Sequence, residues 1–553
     1  MKFLNFFKYT PRKPYEFTLP MNYNNIPEET VKDNFIFPTL SVNLDFLKTK
    51  YNTLINNDII IKEFTLSIKN TDYSACLLFI DGMVDNDSIN NFILQPIFLK
   101  NSILMHPQNH TNIAVSKGIS VKKTNKFNLE NFIFNSLLPQ NSIKKAKKFE
   151  DVISMVNSGF CALFVDTLSI AFCLETRDIK GRTVSEAKNE SIIKGSQEAF
   201  IENIRTNTSM IRKIINNENL IIEETNIGKI SQTKVAICYM KNITNDDLVA
   251  EVKYRVNNLD IDFLTSSGQL EQLIQDNKLT PFPQLISTER PDKVANLLFE
   301  GKVAIIINGS PFVLVVPAIF IDFLTSPEDR NLNSHFANFF RLIRIIALFF
   351  AIFLPGIYVA ITNFHQEIIP SELLFAIGSS QEAIPFPVIF EILLMGISFE
   401  LIREAGLRVA SSFSTTVGII GALILGEAAV SANIVSPILI IIVAFTGICS
   451  FAIPDFSLEF SMRIFRFMYI ILGYLAGFLG IAFGFYIQFL YLNSLNSFGV
   501  SYFTPFLPIA NFFQNDNIFV KPLWKRDRRD SYLNTKRPIK ENTLSMKWRK
   551  NGN

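Results

Sequence analysis

The second half of the chain contains apolar runs that are too long and too poor in charge for an ordinary soluble core. From Ile345 to Phe364 there are 20 residues without a formal charge, and Arg341 and Arg344 precede them. An α-helix of that length spans about 30 Å, which is the thickness of the hydrocarbon core of a bilayer. The pattern therefore predicts that a membrane-embedded region begins near His335.

Further apolar segments follow this first span. Residues 384–402 are predicted either to cross the membrane or to lie as a tilted amphipathic helix in the wall of a cavity. Residues 409–454 divide into two apolar halves, as expected for a tight helical hairpin or two re-entrant segments. Residues 467–515 form 49 residues without charge, which predicts a crossing that ends near Leu492. A final apolar patch around Tyr502 is predicted to be re-entrant or interfacial.

The charges between these runs predict their orientation. Residues 365–383 contain three glutamates and no lysine or arginine, whereas the next polar stretch contains Arg403 and Arg408. From Lys521 to Asn553 eleven lysines and arginines stand against three acids, a net charge of +8. Basic segments stay on the cytosolic side of a membrane. Both ends of the membrane region are therefore expected in the cytosol, which requires an even number of crossings, four or six.

Two stretches of the first half repeat one pattern. The string ACLLFI at 75–80 resembles VAICYM at 235–240, which lies 160 residues later, and residues 151–165 resemble residues 292–307. The later pair ends at the turn dipeptides DT and NG, and NG is favoured in two-residue hairpins. Each unit is predicted to hold a strand followed by a helix, and then a helix followed by a β-hairpin. We infer two related α/β subdomains.

A helix is predicted between these units, from Gln197 to Ile215, because its apolar residues recur on one face. Arg205 and Arg212 on this candidate assembly helix could bind an anion, although such residues more often belong to a solvated or salt-bridged face. The predicted plan of the chain is an α/β soluble region of two related subdomains followed by an α-helical multi-pass membrane domain. Its divisions are an N-terminal tail at 1–40, cytosolic subdomains at 41–185 and 186–332, a membrane domain at 333–512 and a basic cytosolic tail at 513–553.

Composition narrows the function. The net charge of +3 and the lack of a basic, aromatic-interleaved face argue against nucleic acid as a partner. Phosphate-binding loops, nucleophile elbows and regular zinc-binding spacings do not occur, and the pair His106 and His110 is separated by Pro107, so neither an enzyme nor a cofactor is predicted.

Met1 to Tyr15 is too short for the apolar core of a signal peptide, which favours a cytosolic soluble region. Five cysteines without CxxC spacing suit buried thiols in a reducing compartment: Cys76, Cys161, Cys173, Cys238 and Cys449.

Three acids at apparent membrane depth are the candidate pore or membrane polar positions. They are Glu391, Glu400 and Glu427. An ionised group in a bilayer costs a few kcal/mol unless it faces water or a partner. The acids could line a cation path, and in the alternative interpretation Glu400 pairs with Arg403 or Arg408 near the interface. Small residues surround Glu427 and allow close helix packing or a narrow pore wall: Gly418, Gly421, Ala422, Gly426, Ala428 and Ala429.

Several blocks of the sequence resemble one known family. They include ESIIKGSQEAFIENIRTNTSMIRKII at 190–215, ERPDKVANLLFEGKVAIIINGSPFVLVVPAIFIDFLTSPEDR at 289–330 and, within 386–454, the strings FPVIFEILL, FELIREAGLR and GALILGEAAVSANIVSP. A further block is SFGVSYFTPFLP near the end. In this order they resemble the A subunit of the GerA-type spore germinant receptors of endospore-forming bacteria, and the likeness covers roughly residues 40–525.

The resemblance implies a subunit of the spore inner membrane that acts with a permease-like B subunit and a lipoprotein C subunit in nutrient-triggered germination. It further implies that A subunits assemble as homo-oligomers into a nutrient-gated ion channel in contact with membrane lipid. Two other functions stay open from the residues: a secondary transporter or permease, and a membrane-anchored assembly scaffold of the receptor. A transporter would be expected to show inverted repeats in its membrane half, whereas the repeat found lies in the soluble half.

Overall fold

The computed structural model describes residues 35–68, 71–98, 129–138, 142–177, 187, 190, 192–408, 421, 426–506, 519–522, 526 and 528–540. These residues form two five-stranded sheets followed by a helical region. His106, His110 and the N-terminal segment Met1 to Tyr15 lie outside the described residues.

The first sheet is antiparallel, with the strand order β1-β2-β4-β5-β3. Strand β2 is buried along its second half and β4 along its whole length, as expected for central strands covered on both faces. The elements of this subdomain are α1 (Leu40–Tyr51), β1 (Ile59–Ile68), β2 (Thr71–Ile80), α2 (Asn86–Ser88, continued by π-helical Ile89–Leu94), α3 (Leu129–Phe132, continued by π-helical Ile133–Leu137), β3 (Ile143–Ala146), α4 (Phe149–Asn157), β4 (Phe160–Val165) and β5 (Ala171–Glu175).

The second sheet has the corresponding order, β6-β7-β9-β10-β8, again with antiparallel pairs. Its helices α5 and α8 pack on one face of the sheet, and α6 and α7 pack on the other. The elements are α5 (Ile204–Ile214), β6 (Leu220–Ile227), β7 (Thr233–Met240), α6 (Asp246–Asn257), α7 (Ser267–Ile274), β8 (Ile286–Thr288), α8 (Pro291–Glu300), β9 (Val303–Ile307) and β10 (Val313–Val316).

Local contacts recur between the two subdomains and confirm the predicted duplication. Asn43 on α1 exchanges two hydrogen bonds with the backbone of Phe37, and Asn207 on α5 exchanges the same two with Ile201. After the helices α4 and α8 the chain turns at Gly159 and Gly301, which have φ angles of 89° and 104°. Only glycine adopts this conformation without strain. The hairpins predicted from DT and NG are β4–β5 and β9–β10.

The predicted helix from Gln197 to Ile215 begins later than expected. The side chain of Asn203 accepts hydrogen bonds from the backbone N–H groups of Arg205 and Thr206 at 3.0 and 3.3 Å, which caps the helix at its observed start. Phe200 therefore reaches the core from an extended segment and not from the helix. Hydrophobic periodicity identified the apolar positions of this segment, but it did not identify Asn203 as the residue at which the helix begins.

The helical region begins with α9 (Ser334–Phe364), as expected near His335. Among the described residues two helical elements are long and apolar enough to cross a membrane, Ser334–Phe364 and Phe456–Ser494, and a shorter apolar helix spans Pro437–Phe451. The helices after α9 are α10 (Ser371–Glu382), α11 (Val388–Arg408), α12 (Gly426–Ser431), α13 (Pro437–Phe451) and α14 (Phe456–Ser494), and the short strands β11 (Asn496–Ser497) and β12 (Val500–Ser501) follow. Within the predicted segment 409–454, residues 409–420 and 422–425 lie outside the described residues.

The element α14 is a helical hairpin and not one long helix. A straight helix of 39 residues would measure about 58 Å. Non-helical backbone at Ala476 and Gly477 interrupts it, and the hydroxyl of Tyr469 donates to Gln488 across 2.5 Å although 19 residues separate the two. Phe282 of the second subdomain lies against both Phe465 and Tyr491, so both arms return to the soluble region. The predicted single crossing at 467–492 is therefore wrong.

The hairpin tip marks the end of the helical region that is far from the sheets. A Cβ atom on Gly477 would lie 3.0 Å from His365, which follows α9, and the ring of His365 lies 4.8 Å from that of Phe478. Midway along, Gly356 of α9 and Gly473 of α14 bring the two backbones into direct contact. Small residues at such crossings allow close helix packing.

The segment after the hairpin belongs to the second subdomain. The backbone N–H of Phe320 donates to the carbonyl of Tyr502 at 2.8 Å, and the fully buried Tyr502 ring packs among Phe282 and Phe323. Aromatic residues of the soluble subdomain therefore cover Tyr502, and the re-entrant or interfacial position of the whole patch stays a prediction. Apolar composition alone does not distinguish burial by protein from burial by lipid.

Residues 528–540 of the basic tail also lie on the second subdomain. Lys536 donates to Asp246 at 2.5 Å, its backbone N–H donates to the carbonyl of Ile243, and Lys540 pairs with Glu300 at 2.6 Å. The tail thereby covers the loops after β7 and α8. At the other end of the chain, residues 35–39 join the first subdomain, because Ile36 is buried and Phe35 bridges to Lys148.

Candidate functional site

A layer of five charged side chains joins α11 to the first arm of the hairpin. Arg403 pairs with Glu459 at 2.5 Å, and Arg463 lies 3.2 Å from Glu459 and 3.3 Å from Glu400. Arg466 approaches Glu400 at 3.5 Å. Three guanidinium groups thus face two carboxylates, which leaves one positive charge in excess. We name these five residues the charged layer.

The charged layer is sited where the helices meet the soluble region. Arg466 donates through Nε to the carbonyl of Ala351 on α9 at 2.8 Å. The Ser461 hydroxyl, between Glu459 and Arg463, donates to the carbonyl of Pro281 in the second subdomain. A displacement of α11 relative to the hairpin would separate several buried ion pairs at once, and breaking a buried pair is strongly unfavourable. The layer therefore fixes the relative positions of these elements.

Glu391 occupies the opposite end of α11. Its side chain is buried, and one carboxylate oxygen accepts the backbone N–H of Ser436 at 2.9 Å. Ser436 is the N-cap of α13, so the carboxylate meets the positive end of a helix dipole. The other oxygen is buried without a hydrogen-bond partner among the described residues. The ends of α11 and α13 that lie near Glu391 and Ser436 are those far from the sheets.

Glu427 differs from the other two acids because it is exposed. It lies on α12, which precedes the turn into α13, and no described residue forms an ion pair with it. Gly426, Ala428 and Ala429 of its small-residue neighbourhood are described, whereas Gly418 and Ala422 are not. The three predicted acids therefore lie apart: Glu400 in the charged layer, Glu391 in the helix packing and Glu427 on the outside of the single chain.

A second buried cluster anchors the first helix. Asp329, which is fully buried, accepts from Arg341 at 3.0 Å and from Arg344 at 2.7 Å. The sequence analysis did not identify Asp329. The sequence nevertheless contains a signal for a buried acid near these arginines. Arg341 and Arg344 stand three residues apart on one helix face, as Arg463 and Arg466 do, and such a pair needs a nearby carboxylate.

The candidate assembly helix α5 contacts the first subdomain of the same chain. Arg212 is buried and binds both carboxylate oxygens of Asp58 at 2.7 and 2.9 Å, and a further hydrogen bond reaches Asn56 at 3.1 Å. Arg205 pairs with Asp81 in the loop after β2. Both arginines thus form salt bridges, which was the alternative to anion binding, and their partners lie in the first subdomain.

Several titratable groups outside the apolar helices have shifted pKa values. Burial, with a contribution from the nearby charge of Asp455, raises the pKa of Glu271 on α7 to about 7. All five cysteines are free and buried, as the sequence predicted, and burial raises the pKa of the Cys76 thiol to about 12. Within the described part of the chain no three metal-ligating side chains cluster.

The fold and the buried Asp329 cluster define a class: a duplicated antiparallel α/β region joined through buried ion pairs to apolar helices long enough to enter a membrane. Residues 45–532 match the family model for the Bacillus/Clostridium GerA spore germination protein. The chain belongs to this GerA family, which confirms the resemblance drawn from the sequence.

Curated relatives agree with this assignment. The chain is 35% identical over 514 residues to spore germination protein KA of Bacillus subtilis (strain 168), covering 93% of this chain and 90% of that protein. It is 32% identical over 495 residues to spore germination protein GerLA of Bacillus cereus, covering 89% and 95%. The N-terminal domain of the A subunit of the Bacillus megaterium spore germinant receptor GerK3 is 31% identical, covers 52% of this chain and 98% of that structure, and has a TM-score of 0.39.

Proposed function

We propose that this chain is the A subunit of a nutrient germinant receptor and that several copies form a nutrient-gated ion channel that starts spore germination. The observation that carries the channel proposal is the exposure of Glu427 on an apolar helical region. A carboxylate facing lipid costs a few kcal/mol, so it must face water or another subunit. A ring of such acids contributed by several copies would give a cation-selective wall.

The charged layer would serve as the connection between the soluble region and such a pore. It joins α11, the hairpin α14 and, through Ser461, the second subdomain. A rearrangement of the soluble region could then reach the helix that carries Glu391 and Glu400. In this proposal Glu400 holds the helix in position, Glu391 caps α13, and Glu427 faces the ions.

The proposal includes partners, location and domain limits. The chain would act with a permease-like B subunit and a lipoprotein C subunit in the spore inner membrane, as a multi-pass protein with the soluble region and the basic tail in the cytosol. The division into 41–185, 186–332, 333–512 and 513–553 remains part of it, with two adjustments suggested by packing: residues 35–39 accompany the first subdomain, and residues 495–506 accompany the second. No catalytic step is proposed.

The test replaces the chromosomal copy with Glu427→Gln and measures nutrient-triggered cation release from the spores, with the amount of receptor in the membrane checked by immunoblotting. Removing one charge from each copy of a pore ring should slow cation release several-fold while receptor amounts stay equal. Glu404→Gln is the matched control, because Glu404 is an exposed acid near the C-terminal end of α11, where it pairs with Arg408.

Unchanged cation release in the Glu427→Gln spores would remove Glu427 from the ion path. If the purified receptor complex in liposomes also conducted no ions, the alternative of a membrane-anchored scaffold would replace the channel. A monomeric chain that exchanges one solute for another would instead favour the transporter.

A further inference from the structure

A cavity of about 100 Å³ lies where three distant parts of the chain meet. One wall is α8 of the second subdomain, a second wall is the 3₁₀ segment Pro327–Arg330 with the first turns of α9, and the third wall is the C-terminal tail. We name this cavity the tail pocket. Charged side chains line it, among them Lys293, Glu300, Arg330, Arg341, Arg528 and Lys540.

The tail pocket carries an excess of positive charge. Arg526 brings its lining to six basic side chains, against the three acids Glu300, Asp322 and Asp530. Several of these charges are matched: Lys293 pairs with Glu190 at 2.8 Å, Arg341 with Asp329 at 3.0 Å and Lys540 with Glu300 at 2.6 Å.

Two arginines of the lining have no carboxylate partner. Neither Arg330 nor Arg528 forms an ion pair with any described residue. Asp322 pairs with Lys302 at 2.5 Å. The remaining acid, Asp530, is half-buried, and its desolvation together with the charge of Glu300 raises its pKa to about 6. Its carboxylate accepts a hydrogen bond from the hydroxyl of Tyr532 at 3.1 Å and forms no ion pair with Arg330 or Arg528. The two guanidinium groups face a shared space from opposite walls, the body of the protein and its tail.

The depth of the pocket restricts its ligand. Arg341 stands four residues before the uncharged stretch that begins at Ile345, which corresponds to about 6 Å of helix. The pocket therefore lies at the level expected for lipid headgroups. Basic pockets at this level bind phosphate groups, and the planar guanidinium forms paired hydrogen bonds with phosphate oxygens.

We propose that the tail pocket binds a phosphate-bearing anion, with Arg330 and Arg528 donating to its oxygens. The ligand would join the C-terminal tail to the start of α9. Ion pairs connect these two walls of the tail pocket only in part. Its phosphate can belong to the headgroup of an anionic lipid or to a soluble molecule of the cytosol, and the chemistry of recognition is shared. The proposal does not depend on channel activity.

The experiment uses the full-length chain purified in a maltoside detergent, which contains no phosphate. Thermal unfolding is followed while either inorganic phosphate or phosphatidylglycerol is added, with the ionic strength held constant by chloride. A ligand of the native state raises Tm with concentration. We expect at least one arm to do so, and to require an about tenfold or more higher concentration in the Arg330→Gln, Arg528→Gln double variant, since each lost charge-assisted hydrogen bond is worth about that factor.

A double variant with the same change in net charge, Lys62→Gln and Lys147→Gln on the exposed surface of the first subdomain, should respond as the wild type does. Arg528→Gln alone, at an exposed position, gives a second test if the double variant is unstable. A response to the lipid alone assigns the site to a headgroup, and a response to inorganic phosphate assigns it to soluble phosphates also. No response in either arm, or equal responses of the wild type and the Arg330 and Arg528 variants, would refute the proposal.

Discussion

At the scale of single residues, the chain places buried carboxylates against arginines of its apolar helices. Asp329 holds Arg341 and Arg344, and Glu459 holds Arg403 and Arg463. A guanidinium that enters the edge of a low-dielectric region needs a charged partner to offset the loss of water. Asp329 lies 12 and 15 residues before its two partners, and Glu459 lies on another helix than Arg403. Pattern analysis therefore marked Arg341, Arg344 and Arg403 and missed the two acids.

Asp329→Asn should destabilise the protein strongly. The amide keeps the size of the side chain but removes the negative charge that Arg341 and Arg344 share, at a cost of about 3 kcal/mol or more. The measurement is chemical or thermal unfolding of the full chain in detergent. Glu404→Gln removes an exposed helical pair and should cost less than about 0.5 kcal/mol. Equal effects of the two substitutions would contradict a stabilising role for the buried ion pairs of Asp329.

Glu271 should make stability depend on pH. Its pKa is raised from 4.5 to about 7, so between these values the native state binds more protons than the unfolded state. Stability is then lost as pH rises from 4.5 to 7, and the loss is complete above pH 7. Glu271→Gln should therefore be more stable than the wild type by about 1 to 2 kcal/mol at pH 8 and equal to it near pH 4. Parallel unfolding profiles of the two proteins over this range would show that the carboxyl is solvated.

At the scale of elements, the hairpin α14 is the main departure from the predicted architecture. Its 39 residues would exceed the bilayer if straight, and one glycine permits the reversal. Gly477 has φ 58° and ψ −140°, a region nearly closed to other residues, and its Cα faces the end of α9. The uncharged stretch correctly predicted an apolar helical element here, but nothing in its composition encoded where the chain turns back.

Gly477→Ala should cost about 1 to 3 kcal/mol, because the backbone becomes strained and the methyl group meets His365 at 3.0 Å. The unfolding midpoint of the purified variant measures this cost. Gly378→Ala is the control: it lies in α10 with open space around it, and alanine there should be neutral or slightly stabilising. A Gly477 variant as stable as the control would argue for a continuous helix.

At the scale of the whole molecule, the duplication explains how the parts are joined. In the first subdomain the loops after β2 and α4 receive α5 of the second, through Asp81 and Ser158. In the second subdomain the corresponding loops are covered by the C-terminal tail, where Thr535 lies against Gly301. The tail thus takes the place that a helix of a third repeat would occupy, and it ends the series within one chain.

Asp58→Asn should weaken the connection between the repeats. Arg212 would stay buried with an uncompensated charge, which costs about 3 kcal/mol, and the two subdomains should unfold less cooperatively. Calorimetry of the full chain should resolve a broadened or divided transition. Lys48→Gln breaks only the exposed pair with Glu63 and should leave the transition unchanged. A single sharp transition in Asp58→Asn would show that apolar contacts, and not this ion pair, hold the repeats together.

The sequence by itself determined the two-part plan, the duplication and the family, because these depend on local hydrophobic periodicity and on strings of residues that recur at fixed offsets. It also located the first membrane helix, whose length and flanking arginines are local properties. Only the tertiary structure decided that α14 folds back, that Tyr502 packs on the soluble region, that α5 faces its own chain, and that Glu391, Glu400 and Glu427 have three different surroundings. Each of these depends on which distant surface covers an apolar or charged group, and burial by protein and burial by lipid impose the same local composition.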